Sequence, residues 1–345
     1  MAKILVTGGC GYIGSHTIVD LIENGYDVVS IDNLSRGHIE LLTGANAIVQ
    51  KNVKNYCIDL YNLEDIRAVF EENPDIEGII HFAAYKSVPE SVSKPLMYFK
   101  NNLGSLINIL SVAKEYGVNH FVFSSSCSVY GNTSILPVTE DVPFQEAESP
   151  YARTKQMGED ICRDFVVANP GFKVVLLRYF NPVGAHESAL IGERNKHPEN
   201  LVPIITKTAI GKIEKMTVYG TDYDTRDGSC VRDYIHVSDI AHAHTLAINK
   251  SLSESLKSDC SIYNLGTGNG VTVLELIKSF EDEAGLKLNF EIGPRRPGDV
   301  IEIYANNTKA KDELGWIPKR DVKVMMSTAW KWEKHLQHLE NAPLN

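Results

Sequence analysis

The stretch KILVTGGCGYIG occupies residues 3–14, close to the start of the chain. Its first five residues form a short apolar run, and Gly8, Gly11 and Gly14 follow it in a GxxGxxG pattern. Glycine suits a loop of this kind because the turn needs φ angles that side chains resist, and because the backbone must approach a pyrophosphate closely. The helical pattern of Ser15–Glu23 comes next, and a helix N-terminus offers free N–H groups and the positive end of its dipole. The stretch therefore predicts a dinucleotide-binding loop between a strand and a helix.

The sequence has an acidic residue, Asp32, at the distance from the glycine loop that dinucleotide-binding folds require. Asp27–Ile31 has the pattern of a second strand, and Asp32 follows it, about 20 residues after the glycines, where it can accept hydrogen bonds from the adenosine ribose hydroxyls. A 2′-phosphate would be repelled there, so Asp32 favours NAD over NADP, although Arg36 nearby argues the other way. The alternative is a glycine-rich turn without a ligand. The correct spacing of strand, glycines, helix and acid favours nucleotide binding.

Strand and helix patterns alternate through the first half of the chain, which predicts parallel strands with crossover helices. We expect an α/β fold, a doubly wound Rossmann-type parallel sheet with a smaller mixed α/β C-terminal substrate lobe. The strand predictions are Lys3–Thr7, Asp27–Ile31, Asn55–Ile58, Gly78–Phe82, His120–Ser124, Lys173–Tyr179 and Ser261–Leu265. The helix predictions are Ser15–Glu23, Leu63–Glu72, Leu96–Tyr116, a helix opening at Pro150 and running to about Ala168, Thr272–Ala284 and an amphipathic C-terminal helix.

The pattern changes near Asn181, where Pro, Gly, Asn and charged residues predict a loop up to Asn200. We expect an NAD-binding Rossmann domain at 1–180, with 235–265 returning to it. The segments 181–234 and 266–345 are expected to form the substrate-binding lobe.

Composition narrows the class of protein. The chain has 345 residues, 43% of them hydrophobic, and a formal net charge of -10. A net-acidic chain without a basic run repels nucleic acid, so we expect no nucleic-acid partner. The six cysteines form no CxxC pair and no cluster with zinc spacing, so we expect no metal site and a reducing compartment. Without an apolar run of membrane-spanning length or a signal peptide, the prediction is a cytoplasmic protein with no membrane partner.

The catalytic candidates lie on the helix that opens at Pro150. Tyr151 and Lys155 are separated by four residues and therefore share one helix face. The ammonium of Lys155 and a cationic nicotinamide would both favour the phenolate, so that Tyr151 could exchange a proton with a substrate hydroxyl. The strand before the helix ends in Ser124-Ser125-Ser126, at the edge of the sheet where ligands bind. A Tyr-x-x-x-Lys pair by itself is more often an exposed pair on a helix without a catalytic role. The glycine loop and the serines in the same sequence favour the catalytic interpretation.

Motifs along nearly the whole chain resemble the extended short-chain dehydrogenase/reductase superfamily, and within it the enzymes that epimerise C4 of UDP-hexoses. They are TGGCGYIGSH (7–16), IDNLSRG (31–37), HFAAYKSVPES (81–91), FSSSCSVYG (123–131), SPYARTK (149–155), LRYFNPVGAH (177–186), VRDYIHVSDIA (231–241), NLGTG (264–268) and RRPGD (295–299). LRYFNPVGAH and VRDYIHVSDIA are far more specific than the glycine loop. Cys127 departs from the alanine that is usual in FSSSCSVYG, and we expect no catalytic consequence.

The resemblance implies a role for each matching residue. Tyr151 is the base, Lys155 its partner, and Ser126 hydrogen-bonds the reacting hydroxyl. The NAD site comprises Gly8, Gly11, Tyr12, Ile13, Gly14, Asp32, Asn33, Asp59, Leu60, Phe82, Ala83, Ala84, Lys86, Asn101, Ser124, Tyr151, Lys155 and Tyr179. The UDP-hexose site comprises Ser126, Tyr151, Asn181, Asn200, Leu201, Tyr219, Arg232, Arg296, Asp299 and Ile303. Guanidinium groups match diphosphate oxygens, which supports Arg232 and Arg296 independently. A homodimer through Leu96–Tyr116 and the Tyr151 helix is also implied.

The implied reaction inverts C4 of UDP-glucose or UDP-galactose. Tyr151 removes the hydroxyl proton, the C4 hydride passes to tightly bound NAD, and the transient 4-keto sugar turns over before the hydride returns. One alternative is a 4,6-dehydratase, which needs an Asp-Glu pair where this chain has Cys127-Ser128. The other is a non-catalytic NAD-binding regulator, which need not keep Tyr151, Lys155 and the serines together.

The resemblance also places the residue four positions after Asp299, Ile303, near the sugar ring. Isoleucine is branched and stiff, so it should hinder an acetamido group at C2 without closing the pocket. A one-residue error in this register would put Tyr304 there instead.

Overall fold

A computed structural model of the chain describes residues 1–195, 198–296 and 300–341. Its main feature is a seven-stranded sheet in which every pair of neighbours is parallel. The strands are β1 (Lys3–Thr7), β2 (Asp27–Ile31), β3 (Asn55–Tyr56), β4 (Ile76–His81), β5 (His120–Ser124), β6 (Lys173–Tyr179) and β10 (Cys260–Leu265), in the spatial order β10-β6-β5-β4-β1-β2-β3. The order reverses beside β1, as a doubly wound fold requires.

Helices cover both faces of this sheet. They are α1 (Tyr12–Glu23), α2 (Ile39–Val49), α3 (Leu63–Glu72), α4 (Val88–Ser93), α5 (Pro95–Glu115), α6 (Pro150–Ala168) and α8 (Val237–Leu252). Successive strand residues point to opposite faces, so Ile4 and Val6 join one core with α1 and α8, whereas Leu5 joins another with α3 and α5. Strands buried on both faces explain the apolar runs without alternation. The predicted fold class is confirmed.

The remaining elements form smaller sheets and a third core. β7 (Asn181–Val183), β9 (Val231–His236), β11 (Gly270–Thr272) and β13 (Glu302–Ile303) form one sheet, and β8 (Met216–Tyr219) pairs with β12 (Phe290–Gly293). The helices here are α7 (Leu201–Ala209), α9 (Val273–Ala284) and α10 (Val322–Asn341). Apolar residues from α7, α9 and α10 pack together in the third core. Because β9 is the central strand, it holds the segments near 181, 270 and 302 side by side.

Most predicted elements are found within one to three residues of their predicted ends. The loop predicted for 181–200 is partly wrong, since it begins with β7, which hydrogen-bonds to β9, and since Ala185 and Gly192 form a bridge. Tertiary pairing overrides the local preference of this Pro- and Gly-containing segment. Because β10 belongs to the large sheet, residues 260–265 do return to it; the predicted domain boundaries stay a prediction. Across the described ranges, no helix combines the length and the apolar character that crossing a membrane needs.

Four buried histidines make stability depend on pH. Burial lowers the pKa of His16 to about 3, of His81 to about 3, of His236 to about 2 and of His244 to about 4. Below about pH 6.5 the unfolded chain protonates these rings and the folded chain does not, so the unfolded state binds more protons. We expect the free energy of unfolding to fall by up to about 1.4 kcal/mol per pH unit for each histidine as the pH decreases. Urea unfolding at about pH 7 and about pH 5 measures the slope, and equal stability at both would contradict it.

Candidate active site

The carboxyl ends of β1, β2, β4 and β6 and the segment after β3 border a cleft of about 690 Å³. Ligands of doubly wound proteins bind at this edge, where the strand order reverses. The loops that follow β1, β2 and β4 form its walls, together with one face of α6 and residues 193–195 and 199–200. The sequence predictions for the cofactor site can therefore be checked residue by residue.

The glycine loop is packed too tightly for side chains at two of its glycines. Gly8 has φ +74°, and a Cβ there would lie 3.0 Å from the backbone nitrogen of Ala83. A Cβ on Gly14 would lie 2.2 Å from the carbonyl oxygen of Gly8. Gly11 precedes α1 and provides no side-chain cap, so the first N–H groups of the helix face the cleft unblocked by a side chain. These donors and the helix dipole fit a pyrophosphate.

Asp32 is fixed at the end of β2, as predicted. Its carboxylate accepts hydrogen bonds from the backbone N–H of Cys10 at 3.0 Å and of Leu34 at 2.9 Å. Burial raises the pKa of Asp32, and the two N–H groups oppose that effect. Gly37 lets the backbone pass close by, since a Cβ there would lie 2.6 Å from both carboxylate oxygens. The acid is thus held within the cleft wall, in the position that suits a ribose diol.

Nearly all the other predicted cofactor residues line the same cleft. They are Tyr12, Ile13, Asn33, Asp59, Leu60, Phe82, Ala83, Ala84, Lys86, Asn101, Tyr151, Lys155 and Tyr179. Ser124 does not line it, but its hydroxyl lies 2.6 Å from the Tyr179 hydroxyl. Ser124 thus supports a wall residue from beneath.

Two of the three catalytic candidates, Tyr151 and Lys155, line the floor of the cleft, and Ser126 lies next to Tyr151 without lining it. Ser149 caps α6 by accepting a hydrogen bond from the Ala152 N–H. The helix therefore begins at Pro150, and Tyr151 and Lys155 lie on its inner face. Ser126 follows β5 and hydrogen-bonds the Tyr151 hydroxyl. Lys155 donates to the Ser124 carbonyl oxygen at 2.6 Å, and its Nζ lies 6.0 Å from the centre of the Tyr151 ring.

The pKa of Tyr151 in the protein without a ligand differs from the sequence prediction. Burial raises the pKa of Tyr151, and the hydrogen bond from Ser126 opposes the rise only in part. Burial also lowers the pKa of Lys155 to about 8, against the opposing charge of Glu159. The predicted lowering by Lys155 is wrong for the protein's own groups, because the ammonium is directed at the Ser124 carbonyl and desolvation outweighs it. The protein alone therefore keeps Tyr151 protonated at neutral pH.

A buried ion pair supports this floor. Glu159 is fully buried and accepts two hydrogen bonds from Arg178, at 2.8 and 2.7 Å. It also accepts from the Ser125 hydroxyl at 2.6 Å and from Arg163 at 2.7 Å. One carboxylate thus joins α6 to the ends of β5 and β6. No sequence motif indicated Glu159, because its buried partners Ser125 and Arg178 are distant in the chain.

The predicted substrate residues are divided between the cleft and the neighbouring sheet. Of these, Asn200 and Tyr151 line the cleft. Asn200 is the cap residue of α7, and Leu201 begins that helix. Asn181 donates to the Asp233 carbonyl at 3.0 Å, and Arg296 lies 5.8 Å from the centre of the half-exposed Tyr219 ring. The prediction for Asp299 lies outside the described residues.

Arg232 lies on β9, and its charge acts on the residue that follows Ser126. The charges of Arg232 and Asp233 both act on Cys127, the residue after Ser126; burial and Asp233 raise the pKa of the Cys127 thiol to about 12 and Arg232 opposes the rise. Asp233 is itself buried and binds the N–H groups of Thr267, Gly268 and Ala305. These bonds fix the central strand that carries Arg232.

Ile303 is paired with Arg232 in the register of β9 and β13. Its side chain is 7% exposed and belongs to an apolar cluster with Val129 and Phe180, so it does not line the cofactor cleft. The neighbouring Tyr304 ring lies near Gly270 instead, where an added Cβ would be 3.2 Å away. The two residues thus have different surroundings, which makes their separate substitution informative.

Three acidic residues of the cleft were not singled out in the sequence, although Glu90 lies within the motif HFAAYKSVPES. Glu90 on α4 binds Arg36, Glu193 binds Lys86 at 3.0 Å, and Glu199 accepts from the Ser87 hydroxyl at 2.7 Å. Each contact joins segments far apart in sequence, so no local pattern could have revealed it.

The parallel sheet, the glycine loop and the Tyr151–Lys155 face of α6 define the class: an extended short-chain dehydrogenase/reductase. A family model described as GDP-mannose 4,6 dehydratase matches residues 5–329. The UDP-glucose 4-epimerase of Bacillus subtilis (strain 168) is 46% identical over 331 residues, 96% of this chain and 96% of that protein. The chain belongs to the UDP-glucose 4-epimerase family.

Solved structures agree with this assignment. A UDP-glucose-4-epimerase from Stenotrophomonas maltophila, with bound NAD and formylated UDP-arabinopyranose, has a TM-score of 0.95 at 40% identity and covers 98% of this chain and 100% of its own. The enzyme from Bifidobacterium longum, in complex with NAD+ and UDP, has a TM-score of 0.91 at 44% identity and covers 97% and 98%.

Proposed function

We propose that the chain catalyses reversible C4 epimerisation of a UDP-hexose, interconverting UDP-glucose and UDP-galactose with tightly bound NAD. The observation that carries the proposal is that Tyr151 and Lys155 line the glycine-loop cleft, with Ser126 next to the Tyr151 hydroxyl. The relatives at 40–46% identity carry the same activity in their names.

The residues of the cleft fit NAD. The uncapped N-terminus of α1 would receive the pyrophosphate, Asp32 the adenosine ribose, and Tyr179 and Lys155 the nicotinamide end. When bound, NAD supplies a hydride acceptor and a positive charge that favours the phenolate of Tyr151. That charge offsets the burial that keeps the tyrosine protonated in the protein alone.

The chain's own residues then move the proton. Tyr151, as phenolate, takes the proton of the C4 hydroxyl, and Ser126 holds that hydroxyl by a hydrogen bond. Lys155, fixed by the Ser124 carbonyl, keeps a cation beneath the phenolate. Arg232 and Arg296 hold the diphosphate while the keto sugar turns so that the opposite face of C4 receives the hydride, and Tyr151 then returns the proton to the C4 oxygen. A firm hold on UDP and a loose hold on the hexose give inversion.

The name of the family model raises 4,6-dehydration as a second candidate. Expelling the C6 hydroxyl needs an additional acid and base beside Ser126. The next residues are Cys127, whose thiol has a pKa raised to about 12, and Ser128. Asp233 is nearby but is taken up by backbone N–H groups. These contacts favour epimerisation.

The decisive test is an incubation of the purified protein with UDP-galactose and no added NAD. We expect UDP-glucose to accumulate, and in deuterated water we expect no deuterium at C4 of either sugar, since the hydride returns internally. A product with an altered C6 would indicate dehydration. Substantial C4 label would point to solvent-exchanging carbanion chemistry.

Ile303→Ser tests the sugar preference. Wild-type protein should use UDP-galactose well and UDP-N-acetylgalactosamine poorly. A smaller residue should move the ratio of the two kcat/KM values toward the acetylated sugar by about 1–3 kcal/mol, the worth of a few methyl(ene) groups of pocket fit. Tyr304→Ser is the matched control. An unchanged ratio in Ile303→Ser, with a shift in Tyr304→Ser, would contradict the assignment.

We further propose a cytoplasmic homodimer acting in galactose metabolism, with the lobes divided near residue 180. Exposed apolar side chains on α4, α5 and α6, among them Val92, Leu96, Ile107 and Met157, support a dimer face there. All six cysteines are free, which supports a reducing compartment.

A further inference from the structure

Two oppositely charged side chains meet across the mouth of the cofactor cleft. Arg36 comes from the loop after β2, and Glu90 from α4 on the other wall; both line the cleft. The Nη2 of Arg36 lies 2.8 Å from each carboxylate oxygen of Glu90. The contact spans 54 positions of the chain and joins the two walls.

Further contacts hold both partners in place. Glu90 accepts from the Tyr98 hydroxyl at 3.0 Å and from Lys94 at 3.4 Å. The Arg36 guanidinium lies 5.1 Å from the centre of the Tyr85 ring. The edge of the Arg36 guanidinium is thus occupied by a carboxylate and its face by an aromatic ring. The hydrogen bonds to Glu90 also raise the pKa of Arg36. The guanidinium is committed before any ligand arrives.

Because of its position, Arg36 would contact the ribose end of a bound dinucleotide if it were not paired with Glu90. It lies four residues after Asp32, whose carboxylate is fixed in the same wall by Cys10 and Leu34. A guanidinium near the acidic residue of this fold is the group that accommodates a 2′-phosphate when it is available. Glu90 makes it unavailable. Releasing or admitting a dinucleotide would also require the two walls to separate at this contact.

We propose that the Arg36–Glu90 ion pair is a strap over the cofactor cleft: it slows the exchange of bound NAD and withholds Arg36 from NADP. This rests on the proposed NAD-dependent function. Because Arg36 is about half exposed, the strap's contribution is modest. Its loss should speed exchange by roughly 1.4- to 5-fold, the range of an ion pair near the surface.

The test is cofactor exchange in the holoenzyme. Wild-type protein, Glu90→Gln and the double variant Arg36→Gln/Glu90→Gln are incubated with isotopically labelled NAD or with excess NADP, and the protein-bound dinucleotide is identified by mass spectrometry over time. Glu115→Gln, which removes an exposed pair with Arg67 at 2.9 Å outside the cleft, is the matched control. Thermal unfolding checks that all variants are folded.

Both Glu90 variants should exchange NAD roughly 1.4- to 5-fold faster than wild type and Glu115→Gln. The single variant, with a freed Arg36, should take up more NADP than the double variant, although Asp32 still opposes a 2′-phosphate in both. Exchange at the wild-type rate in both Glu90 variants would overturn the strap, and equal NADP uptake by the two would overturn the role of Arg36. A wild-type protein that neither carries nor binds NAD would instead overturn the proposed function.

Discussion

Replacing Tyr151 by phenylalanine is expected to lower kcat for UDP-galactose by about 10²–10⁴-fold, the usual worth of a positioned general base. The variant should fold and retain NAD, because the ring still packs on α6 and the glycine loop and Asp32 are untouched. The loss should be in turnover, since Ser126 alone hydrogen-bonds the hydroxyl but cannot take its proton. Turnover and bound NAD are measured on the same preparation.

Tyr116→Phe is the matched control. Tyr116 lies on the outer side of the molecule, and its hydroxyl donates to Glu71 at 3.2 Å. It should leave turnover unchanged. If Tyr151→Phe also turned over at nearly the wild-type rate, the assignment of Tyr151 as acid/base would be wrong.

Glu159→Leu should have the largest effect on stability. It leaves Arg178, which is 2% exposed, as a buried cation without its bidentate partner. Removing one partner of a buried pair costs about 3–5 kcal/mol, much of it the penalty of the charge left behind. The free energy of unfolding in urea measures this loss.

The double variant Glu159→Leu/Arg178→Met separates this penalty from the loss of packing. With both charges gone, much of the stability should return, because an apolar pair of similar volume often replaces a buried ion pair at little cost. Asp160→Leu, next along α6 but exposed, is the control and should change stability little. A double variant no more stable than Glu159→Leu would show that the pair does more than neutralise Arg178.

Most of the first half of the fold was predictable from sequence because most strands of the large sheet are apolar runs bounded by turn residues. The two-residue strand β3 is not such a run, and the helices α2 and α4 were not predicted. Asp27–Ile31 and Lys173–Tyr179 were predicted with their observed ends. The lobe was less predictable, since β7 and β13 are only three and two residues long. Such short strands exist only because β9 pairs with them, and pairing leaves no local pattern.

Some residues of the candidate site were predictable from local sequence, and others were not. Gly8, Asp32 and Tyr151 were found because a turn, a strand end and a helix face set their positions locally. Glu90 and Glu159 were not found, since Arg36 and Arg178, the partners that define their roles, lie 54 and 19 residues away and only the folded chain brings them together. The ionisation of Tyr151 was also not predictable, because desolvation depends on what surrounds the ring in three dimensions.

The place of β10 at the edge of the large sheet affects the order in which the chain can mature on the ribosome. β6 pairs with β10, yet 80 residues, 180–259, separate the two strands. At a synthesis rate of about 5–20 residues per second, the open edge of β6 waits roughly 4–16 s for its partner. An unpaired strand edge is a template for association with other chains. The nascent protein therefore passes through a period of aggregation risk, and chaperone dependence should end when residue 265 has left the exit tunnel.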